Sequence, residues 1–203
     1  MFGTKTHDLV YENVDEYVTR PAFDSRLPLL FIALKEGRIL VFDYASLRIV
    51  KFLSALTDKK FRAINDLLFS GVDGRLYFTA MVSLDEFYLG IINIEMDKIT
   101  TLENLGPWWH LGHVFNSVST NKVYVLSTCI CAAIPELIPF NLFSFSQSSK
   151  KITAQLELYN AKFGPFGLQI INDGKRAYVG NRFSLSIGII DLIENKFVGY
   201  ISP

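Results

Sequence analysis

Cysteine is scarce in this chain. Only Cys129 and Cys131 occur among 203 residues, too few for the disulfide framework of a small secreted scaffold. There is no charge excess of either sign, because 20 Lys and Arg balance 20 Asp and Glu; without a basic surplus the chain is poorly equipped to hold a nucleic-acid backbone, and no nucleic-acid partner is expected. Apolar runs of membrane-spanning length, about 18 or more residues, are also missing. The greasiest stretch, from Cys129 to Phe145, is broken by Pro135, Glu136, Pro139 and Asn141, so no membrane span is expected. The first twenty residues lack a basic start followed by an apolar segment, which reads as a cytoplasmic protein unless a longer N-terminus carries an export signal. Nucleophile elbows, H-E-x-x-H metal motifs and phosphate loops are likewise missing, and no cofactor is expected. What is abundant is core material. Half of the residues are hydrophobic, with 17 Phe and 9 Tyr, enough to build a buried interior and far from the composition of a disordered chain.

That material is arranged as a repeat. Near the C-terminus the chain reads PFGLQIINDGKRAYVGN (165 to 181) and then SIGIIDLIENKFVGYIS (186 to 202): strand, D-G turn, strand, connection, strand, polar turn, strand. The same order appears in INDLLFSGVDGRLYFTA (64 to 80) with YLGIINIEMDKITTLE (88 to 103), and in HVFNSVSTNKVYVLS (113 to 127) with FNLFSFSQSSKKITAQLEL (140 to 158). A first copy shows LLFIAL (29 to 34) and RILVFDYASLRIVKFL (38 to 53), its opening strand expected within residues 5 to 22. Tyr77, Tyr124 and Tyr178 take equivalent places on the second strand. Asp43, Asn93, Ser146 and Asp191 close the third strand, and each is followed five positions later by a basic residue: Arg48, Lys98, Lys151 and Lys196. The spacings between these markers are 50, 53 and 45 residues, as expected for a constant frame with loops of varying length.

Each unit alternates with period 2 and has short polar turns, which predicts a four-stranded antiparallel meander. D-G and T-N pairs supply the positive φ of tight hairpin turns. Four such units predict an all-β protein, a β-propeller of about four blades over approximately residues 5–56, 64–104, 113–158 and 165–203, forming one repeat domain. A compact four-bladed ring and an open, partial propeller both fit; the open form is preferred, and with it self-association through uncovered blade faces.

The run from Pro165 to Asn181, followed by I-I-D-L-I-E-N-K-F-V-G-Y-I from Ile189 to Ile201, resembles the YVTN-type β-propeller repeat of surface-layer, lactonase-like and quinoprotein-dehydrogenase-like propellers. The resemblance is close in the fourth copy, fair in the second and faint in the others, and extends over roughly residues 27 to 203. It implies a blade and little chemistry, because its positions are turn and core residues. Larger rings are usual in that family. Its acidic metal ligands have no matching motif here, so no catalytic residue is carried over.

Candidate binding residues lie where the second strand turns into the third and where one blade passes to the next. Gly106-Pro107 and Gly164-Pro165 correspond, but four more residues separate Pro107 from Tyr124 than Pro165 from Tyr178. Trp108, Trp109, His110 and Leu111 therefore read as an insertion, and it holds both tryptophans of the chain. Loop aromatics can form a stacking wall for a ring or anchor an interface, or they can plug the end of a blade. His110 and His113 form H-x-x-H, and Cys129 with Cys131 forms C-x-C; both spacings are shorter than those of ordinary zinc sites, so no metal is expected. The 128–139 connection, TCICAAIPELIP, is an apolar patch for a partner or a cover over the blade ends. Arg182 follows the last strand residue Asn181 and could reach an anion, whereas Asp85-Glu86 reads as a solvated acid pair. The expected role is a non-catalytic binding or scaffold module for a protein or small ligand, acting through Trp108, Trp109, His110, His113 and Arg182. The alternatives are a lactonase-like or quinoprotein-dehydrogenase-like enzyme, or a piece of a longer propeller.

Overall fold

The computed structural model describes residues 20–34, 37–54, 61, 63–83, 86–106, 110–129, 140–158, 165–170, 174–181 and 185–202. They form four four-stranded antiparallel sheets, each paired in chain order. Blade 1 comprises β1 (Ala22–Phe23), β2 (Leu29–Ala33), β3 (Arg38–Asp43) and β4 (Arg48–Ser54). Blade 2 comprises β5 (Ala63–Ser70), β6 (Arg75–Ser83), β7 (Glu86–Asn93) and β8 (Lys98–Gly106). In blade 3 the strands are β9 (His110–Ser117), β10 (Lys122–Cys129), β11 (Phe140–Ser146) and β12 (Lys151–Leu158). Blade 4 holds β13 (Pro165–Ile170), β14 (Arg176–Asn181), β15 (Ile187–Asp191) and β16 (Lys196–Ile201). This is the all-β, four-bladed propeller fold expected from the repeat. Two compact units divide the chain, residues 1–104 and 105–203, so each holds a pair of blades. The weakest expectation was the opening strand of blade 1. It is the two-residue β1, overlapping the expected range only at Ala22, and residues 1–19 lie outside the described set.

The four markers at the end of the third strand are turn caps. Asp43 Oδ1 accepts the N–H groups of Ala45 and Ser46 at 2.8 and 3.1 Å. Asn93 does the same for Glu95 and Met96, and Asp191 for Ile193 and Glu194, all within 2.9 to 3.1 Å. In blade 3 the hydroxyl of Ser146 accepts from Ser149 N–H at 3.2 Å. A short oxygen-bearing side chain at the first turn position can thus satisfy backbone donors that the hairpin leaves unpaired. The fourth turn residue is left-handed in every copy: Leu47, Asp97, Lys150 and Asn195 have φ of 56, 48, 58 and 49°. The basic residue that follows opens the fourth strand. Three of the outer hairpins then carry the same bulge, with Val50, Thr153 and Val198 as the unpaired residue. Thr153 bonds back to the Ser144 carbonyl, and Thr100 of blade 2 makes the equivalent bond to Ile91.

Register confirms the aromatic position. Tyr77 faces Ile91, Tyr124 faces Ser144 and Tyr178 faces Ile189, each two residues before the turn cap; Phe31, opposite Val41, is the fourth member. The Tyr77 hydroxyl donates to Asp73 at 2.6 Å, and the Tyr124 hydroxyl meets Thr120 at 3.2 Å, so each closes back on its own first turn. Burial pushes the Tyr124 phenol above its ordinary range, which keeps it neutral.

Within each unit the aromatic-position face of one blade packs against the opposite face of the next. In the first unit Phe31, Ala33, Ile39 and Val41 meet Leu67, Phe69, Leu76 and Phe78 in one core, with the Phe31 and Phe69 rings stacked at 5.7 Å. In the second unit Tyr124, Leu126 and Leu142 meet Leu168, Ala177, Val179 and Ile190. Turn residues tie the blades at their outer edge. Ser54 N–H donates to Asp97 Oδ1 at 3.2 Å, and the Ser144 hydroxyl donates to Asn195 Oδ1 at 3.4 Å. Both acceptors occupy the left-handed turn position, where Asn and Asp are tolerated better than other side chains. The first turns tie as well. Ser117 Oγ donates to the Gly174 carbonyl at 3.0 Å, and a Cβ on Gly174, whose φ is +64°, would collide with Ser117 and Ser119.

Two outcomes follow from this packing. Gly90 lies opposite Phe78, and a methyl there would overlap the Phe78 ring. Gly90→Ala is therefore expected to cost about 1–3 kcal/mol in urea unfolding, and much less in a Phe78→Leu background, where the double-mutant cycle should show coupling. Separately, hydrogen bonds from Ser46 hold the Asp43 carboxyl below its usual range, and the Glu194 N–H does so for Asp191, assisted by Ile193, Lys196 and Arg176. A lowered folded value means that these groups stabilise at pH above the ordinary aspartate value of about 3.9, and that the contribution is lost as pH falls through the folded value. Asp43→Asn with Asp191→Asn keeps the acceptors, as Asn93 does naturally. The double variant should show a shallower loss of stability under acid than the wild type.

Candidate functional site

The predicted site residues fare unequally. Trp108, Trp109 and Arg182 lie outside the described residues, as do Asp85 and Cys131 with most of the 128–139 connection. His110 opens β9, where its backbone pairs with Cys129, and His113 pairs with Leu126. The inserted residues are thus not all loop. β8 ends at Gly106 and β9 begins at His110, which leaves 107–109 as the whole connection, and His110 and Leu111 extend a strand that stays paired with β10 as far as Cys129. The half-buried His113 ring lies 6.4 Å from Phe115 at 52°, a packing contact on its own strand. Glu86 accepts the Tyr88 hydroxyl at 3.2 Å, a structural use of a residue read as solvated. Among the described residues no group of three or more His, Cys, Asp or Glu side chains comes together to hold a metal ion.

Two residues that sequence reasoning passed over stand out at the same end of blade 3. Ser127 and Asn141 are 1% and 0% exposed, yet among the described residues Ser127 Oγ and Asn141 Nδ2 have no hydrogen-bond partner. They sit one position beyond the last registered pair of β10 and β11, Leu126 with Leu142, at the end from which the 130–139 connection leaves. Asn141 Oδ1 is already occupied by Gln155 Nε2 at 3.0 Å, which fixes the amide so that its NH2 is the free side. Buried polar atoms are normally paired, and leaving one unpaired costs about 1–3 kcal/mol. A signal was present: polar residues interrupt V-Y-V-L-S-T and F-N-L-F at positions where alternation calls for core.

The corresponding end of blade 4 is closed by its own residues. Asn181 N–H donates to the Ser186 carbonyl at 2.9 Å, and Asn181 Nδ2 to the Ser186 hydroxyl at 3.4 Å. This bracket pins the two ends of the 182–184 connection, which contains Arg182.

In the free protein the Ser127 hydroxyl is a liability. Ser127→Ala should raise stability by about 1 kcal/mol, whereas Asn141→Ala, which gives up the hydrogen bond from Gln155 and empties a fully buried position, should lower it. Urea denaturation of both variants checks the contrast.

No family model matches the chain, and no curated protein does either. Among solved structures 1102 chains match, so the architecture is widespread and carries no single function with it. One of them is the Kuenenia stuttgartiensis hydrazine synthase, with a TM-score of 0.64 and 15% identity over 86% of this chain. This chain spans 59% of that structure's length. At such identity the likeness shows the fold alone.

Proposed function

We propose that the chain is a non-catalytic β-propeller module of the YVTN type that binds a small ligand at the strand-two to strand-three end of blade 3. The observation that carries this reading is the pair of buried donors, Ser127 Oγ and Asn141 Nδ2, that have no partner among the described residues. By contrast, the markers Asp43, Asn93, Ser146 and Asp191 are spent on turns, and Asp66 is held by Arg20 at 2.9 Å. A ligand with a carbonyl or carboxylate acceptor would complete the two donors. An attached ring or apolar body suits the tryptophans. Trp108, Trp109, His110 and Arg182 are the proposed contributors around this pair, stacking on the body of the ligand or meeting its charge; His113, paired with Leu126 and packed on Phe115, belongs to the other face of the sheet and is not among them. The YVTN assignment is supported by left-handed Gly74 and Gly174 at the first turns, with φ of 67 and 64°, and by the capped second turn of each copy.

Because the chain has only two tryptophans, adjacent in sequence, its indole emission reports on this segment alone. Titration with aromatic carboxylates and sugar acids should yield a ligand that shifts the emission saturably and raises the melting temperature. Ser127→Ala should weaken that ligand about tenfold, and Asn141→Asp, which replaces the donor by an acceptor, should weaken it further. Unchanged affinity in both variants would remove the site from blade 3.

A further inference from the structure

Among the described residues two blade faces are less enclosed than the same positions elsewhere. The aromatic-position face is buried in blades 1, 2 and 3: Phe31, Tyr77 and Tyr124 are all fully enclosed, as are their neighbours Ile39, Leu89 and Leu142. In blade 4 the equivalent residues are open, with Tyr178 and Ile189 only half-buried and Ile187 43% exposed beside Ile201. The opposite face shows the reverse. It is closed in blades 2, 3 and 4, where Phe78, Val125 and Val179 are fully buried. In blade 1 Leu40 at the middle of this face is enclosed, but Leu30, Ile32 and Phe42 around it are only half-buried, and Phe23 and Phe52 are 60% and 50% exposed. Leu47 of the same blade is 51% exposed. It stands at the turn position where Asp97 and Asn195 receive a hydrogen bond from the preceding blade, but it offers an apolar side chain instead.

We infer that these two faces are halves of one blade-to-blade interface, and that a second copy of this chain supplies the missing half in a head-to-tail contact. In both stacked pairs the aromatic-position face meets the opposite face of the next blade. Blade 4 presents the first kind and blade 1 the second, so the contact continues an interface the chain already makes twice. Matching a face with its own kind would abandon that register, which makes the contact heterologous. Equal numbers of acidic and basic residues leave no net repulsion between copies.

The test uses the whole chain and two exposed positions. Phe52→Glu blocks the blade 1 face, and Ile187→Glu blocks the blade 4 face. In light scattering coupled to size exclusion, the wild type should gain mass above 23.0 kDa as concentration rises, while each variant alone stays at the monomer mass. An equimolar mixture of the two variants should recover a species of twice that mass, because one intact face of each kind remains. Far-UV circular dichroism checks folding, and Phe52→Ser with Ile187→Ser is a milder pair should either glutamate variant unfold. A wild type that stays monomeric throughout would overturn the inference, since the faces would then be satisfied within one chain. A mixture that stays monomeric, or an Ile187→Glu variant that still dimerises through blade 1, would overturn it equally.

Discussion

An antiparallel sheet that is apolar on both faces must be covered twice, and this requirement organises the whole chain. β6 illustrates it. Leu76, Phe78 and Ala80 look one way and Tyr77 and Thr79 the other, and all are fully buried. A single four-stranded sheet can bury neither side by itself, so a blade is stable only between neighbours. The outer strands answer to a different constraint. β12 and β16 largely alternate exposed and half-buried residues, and β4 opens on three exposed residues before Leu53 turns inward, since these strands form the rim.

Given that demand, the turns determine how blades meet. The cap at the end of the third strand fixes a four-residue turn, whose last residue is forced into the left-handed region. In Asp97 and Asn195 this residue has a side chain short enough to accept a bond from the blade before it. Local backbone geometry and blade stacking thus use the same atom positions. Variation in the repeat then has a physical meaning: Leu47 at this place in blade 1 marks a turn that receives no such bond among the described contacts. The bulge that follows adds twist to the outer strand.

The candidate site arises where this economy fails. Most buried polar side chains among the described residues serve a turn or a tie, as Ser117 does for Gly174 and Asn181 for Ser186. Ser127 does not, and Asn141 does so only through its oxygen, which Gln155 occupies. They weaken the end of an otherwise apolar blade, on the side where the longest connection of the chain departs. A binding surface on a rigid repeat is expected at such an end, because loops can vary there without disturbing the stacked core.

Blade number, strand order, the second-strand aromatic and the recurring marker at the end of the third strand were all legible in the residues, because each depends on period-2 alternation or on a local turn, both confined to a few neighbours in the chain; that the marker caps its turn came from the structure. Sequence also marked 108–111 as an insertion, though not that His110 and Leu111 would lengthen β9, since pairing with Thr128 and Cys129 is decided across the sheet. The orphan donors of Ser127 and Asn141 could not be read from the chain. Their polarity is a sequence fact, but whether a partner stands within reach depends on where Gln155 and the neighbouring strands come to rest. The same holds for the faces of blades 1 and 4. Their apolar character is written in alternation, whereas their exposure is a property of packing, set by which sheet lies against which, and only the tertiary structure decides that.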